Sequence, residues 1–339
     1  MTPDPKPVEM PEVGPDPLAA AETWFLAHGL SYFVPEQRAS ARAALRPRRV
    51  LPLVLGVVLV ASGAGGVLGW LSDQASVAPA VLVSVGLTAA AWYALTALNA
   101  APIVRWALAK TFGSLRTVLS MSTRALPMLL IFITFLFINT EVWQVGSNLG
   151  VGVLWLTVLL FTVLALGFLL VRLPEEVDRT DDDVDDAFLL RACRGTPLEA
   201  SCRALVADPD ADPADHAEVQ GFERWNLIVV LMVVQIVQVL LLALSVFAFL
   251  VVFGSLVMTE PVMESWLPEG THGFAWSGGL TRELLQVSTF LAAFSGLYLT
   301  VSTVTDESYR AQFFSGVIRE LERAVGMRAV YLAVRSERR

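Results

Sequence analysis

Cysteine, histidine and lysine are scarce in this chain of 339 residues, and each shortage limits the chemistry that the chain can hold. Its two cysteines, Cys193 and Cys202, are too few for a disulfide framework or a four-cysteine zinc site. Its three histidines lie in different segments and lack the i, i+4 spacing of a metal-binding helix. We therefore expect free thiols and neither a metal ion nor another cofactor.

Motifs of catalysis are also missing. The chain has no phosphate-binding loop, no H-E-x-x-H, no G-x-S-x-G and no C-x-x-C motif. The acidic stretches 175–186 and 208–215 do not fit a calcium-binding EF-hand, because other residues stand where the loop requires Gly and Glu. We therefore expect a protein that is not an enzyme; a lipid-modifying enzyme with a dispersed site is the weaker alternative.

Charged residues make up only 17% of the chain, whereas hydrophobic residues make up 55% and the mean hydropathy is +0.60. This apolar content exceeds that of water-soluble proteins and indicates a multi-pass membrane protein.

The net charge of −8 is concentrated in the segment 173–224, where 15 acidic and 5 basic residues leave a local charge of −10. Such a segment repels phosphate, so we expect no nucleic-acid partner.

Six apolar runs are each long enough to cross a hydrocarbon core of about 30 Å as a helix. They are 50–71, 80–100, 126–145, 151–171, 226–258 and 284–304. The sequence therefore predicts an all-α fold, a bundle of six transmembrane helices with cytosolic amphipathic helices. The predicted divisions are four transmembrane helices in 50–172 and two in 226–304, with an outer loop at 259–283.

The basic residues predict how the chain is oriented. With both termini in the cytoplasm, 23 of the 24 basic residues lie on the cytoplasmic side and Arg282 alone lies outside. Lys and Arg beside a span resist translocation, so we expect this orientation. The remaining cytoplasmic segments are a disordered Pro-rich tail (1–16), helices (17–49), an acidic loop (173–225) and a C-terminal helix (305–339).

The segment 101–125 is predicted to be an amphipathic helix at the cytoplasmic membrane surface. Val104, Leu108 and Phe112 recur at helical spacing on one side. Basic residues lie on the other side: Arg105, Lys110, Arg116 and Arg124. Such a face binds anionic lipid headgroups, or else the helix packs against the acidic segment of the same chain.

Small and weakly polar residues mark three of the runs. The first contains Gly65 and Gly69 in a G-x-x-x-G arrangement, and the fifth contains Gln235 and Gln238. The sixth carries a face at 3-4 spacing that includes Gln286, Thr289, Gly296, Thr300 and Thr303. Close helix packing and a pore or substrate path both fit the faces of runs five and six. No charged residue lies centrally in any run, which disfavours ion-coupled transport.

The C-terminal helix has an apolar stripe that needs a partner surface. The stripe consists of Tyr309, Phe313, Val317, Leu321 and Val325. It fits the N-terminal helices of the same chain, a second copy in a homo-oligomer, or another protein. The first functional hypothesis is therefore a scaffold or accessory subunit that docks partners through its cytosolic helices. The second is a channel or facilitator with a path lined by runs five and six.

Three short stretches resemble a known group of proteins. They are S-Y-F-V-P-E-Q-R at 31–38, V-T-D at 304–306 followed by Tyr309 and Arg310, and Phe313 with Phe314. In this Arg-rich setting they look like uncharacterised multi-pass membrane proteins of actinobacteria. The resemblance implies a location in the bacterial inner membrane, and it implies no activity, ligand or site.

Overall fold

A computed structural model of the chain describes residues 16–113, 125–182, 184–267, 270–273, 279–305 and 307–338. Within the helices, the description leaves out the side chains of 125–128, 181–182, 260, 303–305 and 307–318. The described residues are helical, apart from connecting segments and one isolated bridge between Gly273 and Thr281. The predicted tail, 1–16, lies almost wholly outside this description.

The α-helices of the described residues are numbered here in chain order. They are α1 (Pro17–Ala27), α2 (Pro35–Ala44), α3 (Pro47–Ser72), α4 (Val77–Thr96), α5 (Ala101–Gly113), α6 (Ala125–Phe137), α7 (Thr140–Asn148), α8 (Val151–Asp182), α9 (Asp186–Ala192), α10 (Glu199–Ala207), α11 (Gly221–Val257), α12 (Glu260–Trp266), α13 (Arg282–Thr305) and α14 (Glu307–Glu337). Short 3-10 helices lie at Ser31–Phe33 and Pro213–His216.

Five described helices, α3, α4, α8, α11 and α13, are long and apolar enough to cross a membrane. The third apolar run of the sequence, predicted as one continuous span, forms two helices, α6 and α7, bent by 76° at their junction, and this bent pair is the sixth candidate span. Asn139 causes the break, because its side-chain oxygen accepts hydrogen bonds from the backbone N–H groups of Glu141 (2.8 Å) and Val142 (3.4 Å). This is an N-cap, which starts a new helix.

Helices α3 and α4 form a hairpin joined by close backbone contact. A Cβ atom added to Gly65 would lie only 2.8 Å from the carbonyl oxygen of Ala78, so a larger residue would push the helices apart. The opposite side of α3 is bare, with Leu59 73% exposed and Trp70 82% exposed. A bilayer would cover these side chains, as expected for a span at the edge of a bundle.

Two of the other span-length helices, α11 and α13, pack around one apolar cluster with α6 and α7. Its buried members include Phe137, Trp143, Val246, Leu250, Leu284 and Leu291. At Gly254 an added Cβ atom would collide with Leu284 and Phe137, so α6, α11 and α13 meet here. We call this end of the bundle, where α7 and α12 lie, the loop end.

A helical domain closes the opposite end, which we call the domain end. It consists of α1, α9, α10 and α14 packed on the ends of α8 and α11, around a core that includes Phe25, Leu173, Leu189, Leu198, Leu231 and Val330. The first and last described helices therefore lie at the same end of the bundle. The ion pair between Asp16 and Arg338 (2.8 Å) joins them at the surface.

A buried ionic cluster fixes this domain to the base of α11. Glu223, only 3% exposed, accepts from Arg38 Nη1 (2.7 Å) through one oxygen and from Arg328 Nε (2.6 Å) through the other. Arg328 also donates to the carbonyl oxygens of His216 (2.7 Å) and Glu218 (2.8 Å). One carboxylate thus holds together α2, α11 and α14, and its charge is compensated as burial requires.

Asn226, one turn further along α11, binds the N-terminal segment through two hydrogen bonds to its backbone. Its Oδ1 accepts from the backbone N–H of Tyr32 (2.9 Å), and its Nδ2 donates to the carbonyl oxygen of Gly29 (2.9 Å). Gly29 has φ of +70°, a conformation that side chains rarely adopt. The turn between α1 and α2 is therefore fixed by one buried amide.

Burial and hydrogen bonding raise the pKa of two side chains in the domain interior, Cys193 and Tyr331. Cys193 and Cys202 are free and buried, and the hydrogen bond that the Cys193 thiol donates to Cys202, together with burial, raises the pKa of Cys193. Burial, and then the hydrogen bond from the Tyr331 hydroxyl to Glu22 (2.6 Å), raise the pKa of Tyr331 to about 12. Cys193 and Tyr331 therefore stay protonated at neutral pH.

Candidate functional site

An apolar groove of about 410 Å³ lies between α8, α11 and α13. Small residues of α13 form its floor, and larger apolar side chains of α8 and α11 form its walls. The floor includes Thr289, Ala292, Ala293, Gly296 and Thr300, and the walls include Phe161, Leu166, Leu240 and Leu244. Leu240 and Leu244 are 54% and 53% exposed, so the groove opens to the surroundings of the bundle.

The small floor residues let α13 lie close to α11. A Cβ atom on Gly296 would be 3.3 Å from Val239 Cγ1, so a larger side chain here would require Val239 to shift. At the domain end, by contrast, α8 and α11 share one apolar cluster through Leu173 and Leu231. The groove lies farther along, where α13 separates them and its small residues cannot fill the space.

The hydroxyl groups of the lining are hydrogen-bonded within their own helices. The hydroxyls of Thr162, Thr289 and Thr300 donate to the carbonyl oxygens of Val158 (2.8 Å), Leu285 (2.7 Å) and Gly296 (2.9 Å). Each bond stays within its own helix, as is usual for Thr in apolar surroundings. The groove therefore offers an occupant mainly methyl, methylene and aromatic contacts.

A polar pocket of about 190 Å³ lies at the loop end of α13. It is lined by residues 147–150, by Leu267, Gly270 and His272, and by Arg282, Glu283 and Gln286. Glu283 is only 6% exposed. Its Oε1 accepts from His272 Nδ1 (2.9 Å) and its Oε2 from the backbone N–H of His272 (3.0 Å).

The pocket and the groove follow each other along α13. Gln286 lines the pocket and donates to the carbonyl oxygen of Leu149 (3.0 Å), while Thr289, three residues on, lines the groove. Three residues correspond to a rise of about 4.5 Å. The structure thus combines a polar pocket at the loop end with an apolar groove beside it, toward the middle of the helix.

The structure brings together four of the residues predicted on the sixth run, namely Gln286, Thr289, Gly296 and Thr300. The side chain of Thr303 lies outside the described residues. Gln235 and Gln238 are buried, at 1% and 6% exposure, but belong to a different face of α11 and do not line the groove.

Within the described part of the chain, Gln235 Nε2 and Gln238 Oε1 have no hydrogen-bond partner. An unpaired amide atom in an apolar interior costs about 1–3 kcal/mol. These two atoms therefore form no interhelical hydrogen bond among the described residues.

The predicted docking stripe is covered by the chain itself where it can be described. Leu321 is 3% exposed and Val325 is fully buried, and both belong to the core of the helical domain. Helix α14 contacts α1 there, with the rings of Phe25 and Tyr331 5.6 Å apart. The side chains of Tyr309, Phe313 and Val317 lie outside the described residues.

The predicted headgroup-binding helix packs on protein over its described part. Helix α5 buries Ile103, Ala107 and Thr111 rather than the predicted apolar face, and Phe112 is 54% exposed. Small residues at the contact let α5 approach α11, whose Val230 lies in the same cluster as Ile103.

The basic residues of this helix differ in their surroundings. Lys110 Nζ donates to Glu320 Oε1 (2.7 Å), and Arg105 is exposed. Arg116 and Arg124 lie outside the described residues.

Sequence reasoning did not identify the polar pocket. It used Arg282 only as evidence for orientation, and it counted His272 only as one of three scattered histidines. A signal was present, because Glu283 is an acidic residue in the first turn of an apolar helix and needs a partner once buried. The eleven-residue separation from His272 hid that partner.

Comparison with known proteins adds no family to this picture: no protein-family model, no curated protein and no solved structure matches the chain. The resemblance to actinobacterial membrane proteins stays a prediction. Within the described residues, no group of three His, Cys, Asp or Glu side chains could hold a metal ion. Function must therefore be argued from the groove and the pocket.

Proposed function

We propose that this chain is a non-enzymatic multi-pass membrane protein that binds the acyl chain of a bilayer lipid in the groove of α8, α11 and α13. The observation that carries the proposal is an open, apolar groove halfway along three helices that are long enough to span a membrane. The distribution of basic residues supports a cytoplasmic helical domain. The resemblance of three short stretches to actinobacterial membrane proteins supports a location in the bacterial inner membrane.

The dimensions of the groove fit one acyl chain. Its floor runs from Thr289 to Thr300, which is about 16 Å at 1.5 Å per residue. This length is about half of a hydrocarbon core of about 30 Å, and so matches one leaflet. The exposed walls would lose dispersion contacts if the groove were empty, and lipid chains are the apolar molecules that surround it.

The two hypotheses from the sequence are less well supported by this geometry. An ion path needs polar groups that replace hydration, whereas the hydroxyls along the groove bond to their own helices. A scaffold that docks partners on the C-terminal stripe needs Leu321 accessible, whereas Leu321 is buried. Docking on another surface of the helical domain stays a prediction.

The test fills the groove from its floor. Ala293→Phe places a large ring in the groove, and Ala90→Phe places the same ring on the exposed side of α4 as a matched control. Native mass spectrometry of protein extracted in mild detergent counts the lipids retained per chain. We expect the wild type and Ala90→Phe to retain a lipid that Ala293→Phe loses.

Equal lipid retention in the three proteins would overturn the proposal. Thermal unfolding in the same detergent serves as the folding check, because a loss of lipid counts only if Ala293→Phe unfolds with a midpoint close to that of Ala90→Phe. Should Ala293→Phe misfold, Ala293→Leu is the smaller replacement that still narrows the groove.

A further inference from the structure

We infer that the polar pocket at the loop end of α13 binds a phosphoethanolamine headgroup, in which a primary ammonium group stands two carbons from a phosphate. The inference rests on the proposed function, because it assigns the head of the lipid whose chain lies in the groove. It arises because a buried carboxylate and an arginine line the same pocket, one helical turn from the groove.

Glu283 supplies the site for the ammonium group. Among the described residues, His272 is the one basic side chain whose nitrogen lies within ion-pairing distance of this carboxylate, and its side chain is 71% exposed. A buried carboxylate needs a compensating cation. His272 uses one lone pair of each oxygen, so each oxygen keeps a lone pair for an incoming N–H donor.

Asn148 offers a second acceptor for the same ammonium group. It lines the pocket, and its Nδ2 donates to the carbonyl oxygen of Gln144 (2.7 Å). Because Nδ2 makes this bond, Oδ1 is the amide atom that can accept a hydrogen bond from a ligand. A primary ammonium has three N–H donors and can bind both oxygens, whereas a trimethylammonium has none.

Arg282 supplies the site for the phosphate. It lines the pocket beside Glu283 and is exposed, so its guanidinium can reach the level of the headgroups. Arginine binds phosphate through paired N–H donors. An acid and a base side by side fit a zwitterion better than an anion, because Glu283 repels a second negative charge.

The order of the two sites along α13 fits a lipid. The head would lie at Glu283 and Gln286, and the chain would begin at Thr289. A free phosphoethanolamine has the same head but gains nothing from the groove. We therefore assign the site to the lipid and treat the soluble molecule as an outcome of the test.

The experiment compares three lipids that have identical acyl chains and differ in the head, which is phosphoethanolamine, phosphocholine or phosphoglycerol. Delipidated full-length protein is titrated with each lipid, and binding is measured by native mass spectrometry. We expect the phosphoethanolamine lipid to bind about tenfold more tightly than the other two, a ratio that one charge-assisted hydrogen bond readily gives.

Two variants test the residue assignment. Glu283→Gln should abolish the preference, since it removes the charge at nearly constant shape. Glu264→Gln removes the same charge from an exposed position on α12, at the same end of the bundle, and should keep the preference. A preference that survives in Glu283→Gln would overturn the inference.

The remaining outcomes separate this inference from the proposed function. Equal binding of the three lipids, with binding still lost in Ala293→Phe, would overturn the headgroup site and leave the acyl-chain site standing. No binding of any lipid would overturn both. Equal binding of soluble phosphoethanolamine and the lipid would overturn the lipid assignment, because the groove would then contribute nothing.

Discussion

The buried carboxylate of Glu223 should carry much of the stability of the helical domain. Glu223→Gln leaves the shape of the side chain but removes the charge that compensates Arg328, whose side chain is 11% exposed. Breaking a buried ion pair by removing one partner costs about 3–5 kcal/mol. Arg38, with a side chain 24% exposed, can turn to solvent, so the cost arises mainly at Arg328.

The assay is thermal unfolding of purified protein, followed by circular dichroism and by tryptophan fluorescence. A loss of about 3–5 kcal/mol should lower the thermal midpoint by on the order of 10 °C. The reason is that about 1 kcal/mol shifts the midpoint of a domain of roughly 150–250 residues by about 2–4 °C. Arg338→Gln is the control, because it breaks an ion pair of the same domain that lies at the surface. Equal midpoints for the two variants would refute the assigned role of burial.

Three further changes test other contacts of the fold. Asn226→Leu should destabilise the domain by about 1–3 kcal/mol for each of the two backbone groups it orphans, measured by the rate of proteolysis at the N-terminal helices. Tyr331→Phe should remove a dependence of stability on pH. The raised pKa of Tyr331 contributes stability that is complete below its ordinary pKa of 10.0 and is lost as the pH rises to about 12. Unfolding measured from neutral to alkaline pH checks this. Gly65→Leu should lower the thermal midpoint by forcing α3 from α4, whereas Gly63→Leu, with open space around it, should not.

The long helices were predictable from the sequence because their signal is additive over about 20 residues. Hydrocarbon thickness sets a minimum length, and the apolar runs meet it whatever their neighbours are. The break at Asn139 depends on a single residue whose side chain caps α7, and averaging over a window hides such a residue. The N-cap preference of Asn was nevertheless a readable local signal.

The floor of the groove was predictable and its walls were not. Thr289, Gly296 and Thr300 share a face by helical period alone, so their spacing identifies them. Whether that face is filled by a neighbour or left open depends on how α8 and α11 pack around it, which no spacing within one helix encodes. The burial of Leu321 was undecided for the same reason, since its partner α1 lies some 300 residues away in the sequence.

The groove and the helical domain are built on the same two helices, and this links the lipid proposal to the domain. Helix α11 carries Glu223 and Asn226 in the domain and Leu244 in the groove wall, while Leu169 of α8 belongs both to the domain core and to the groove lining. A ligand shifts an equilibrium only as far as its affinity differs between the states involved. A lipid chain that holds α8 and α11 at their present separation also holds the domain core at Leu169. Under the proposed function, lipid occupancy therefore stabilises the domain as well as the spans.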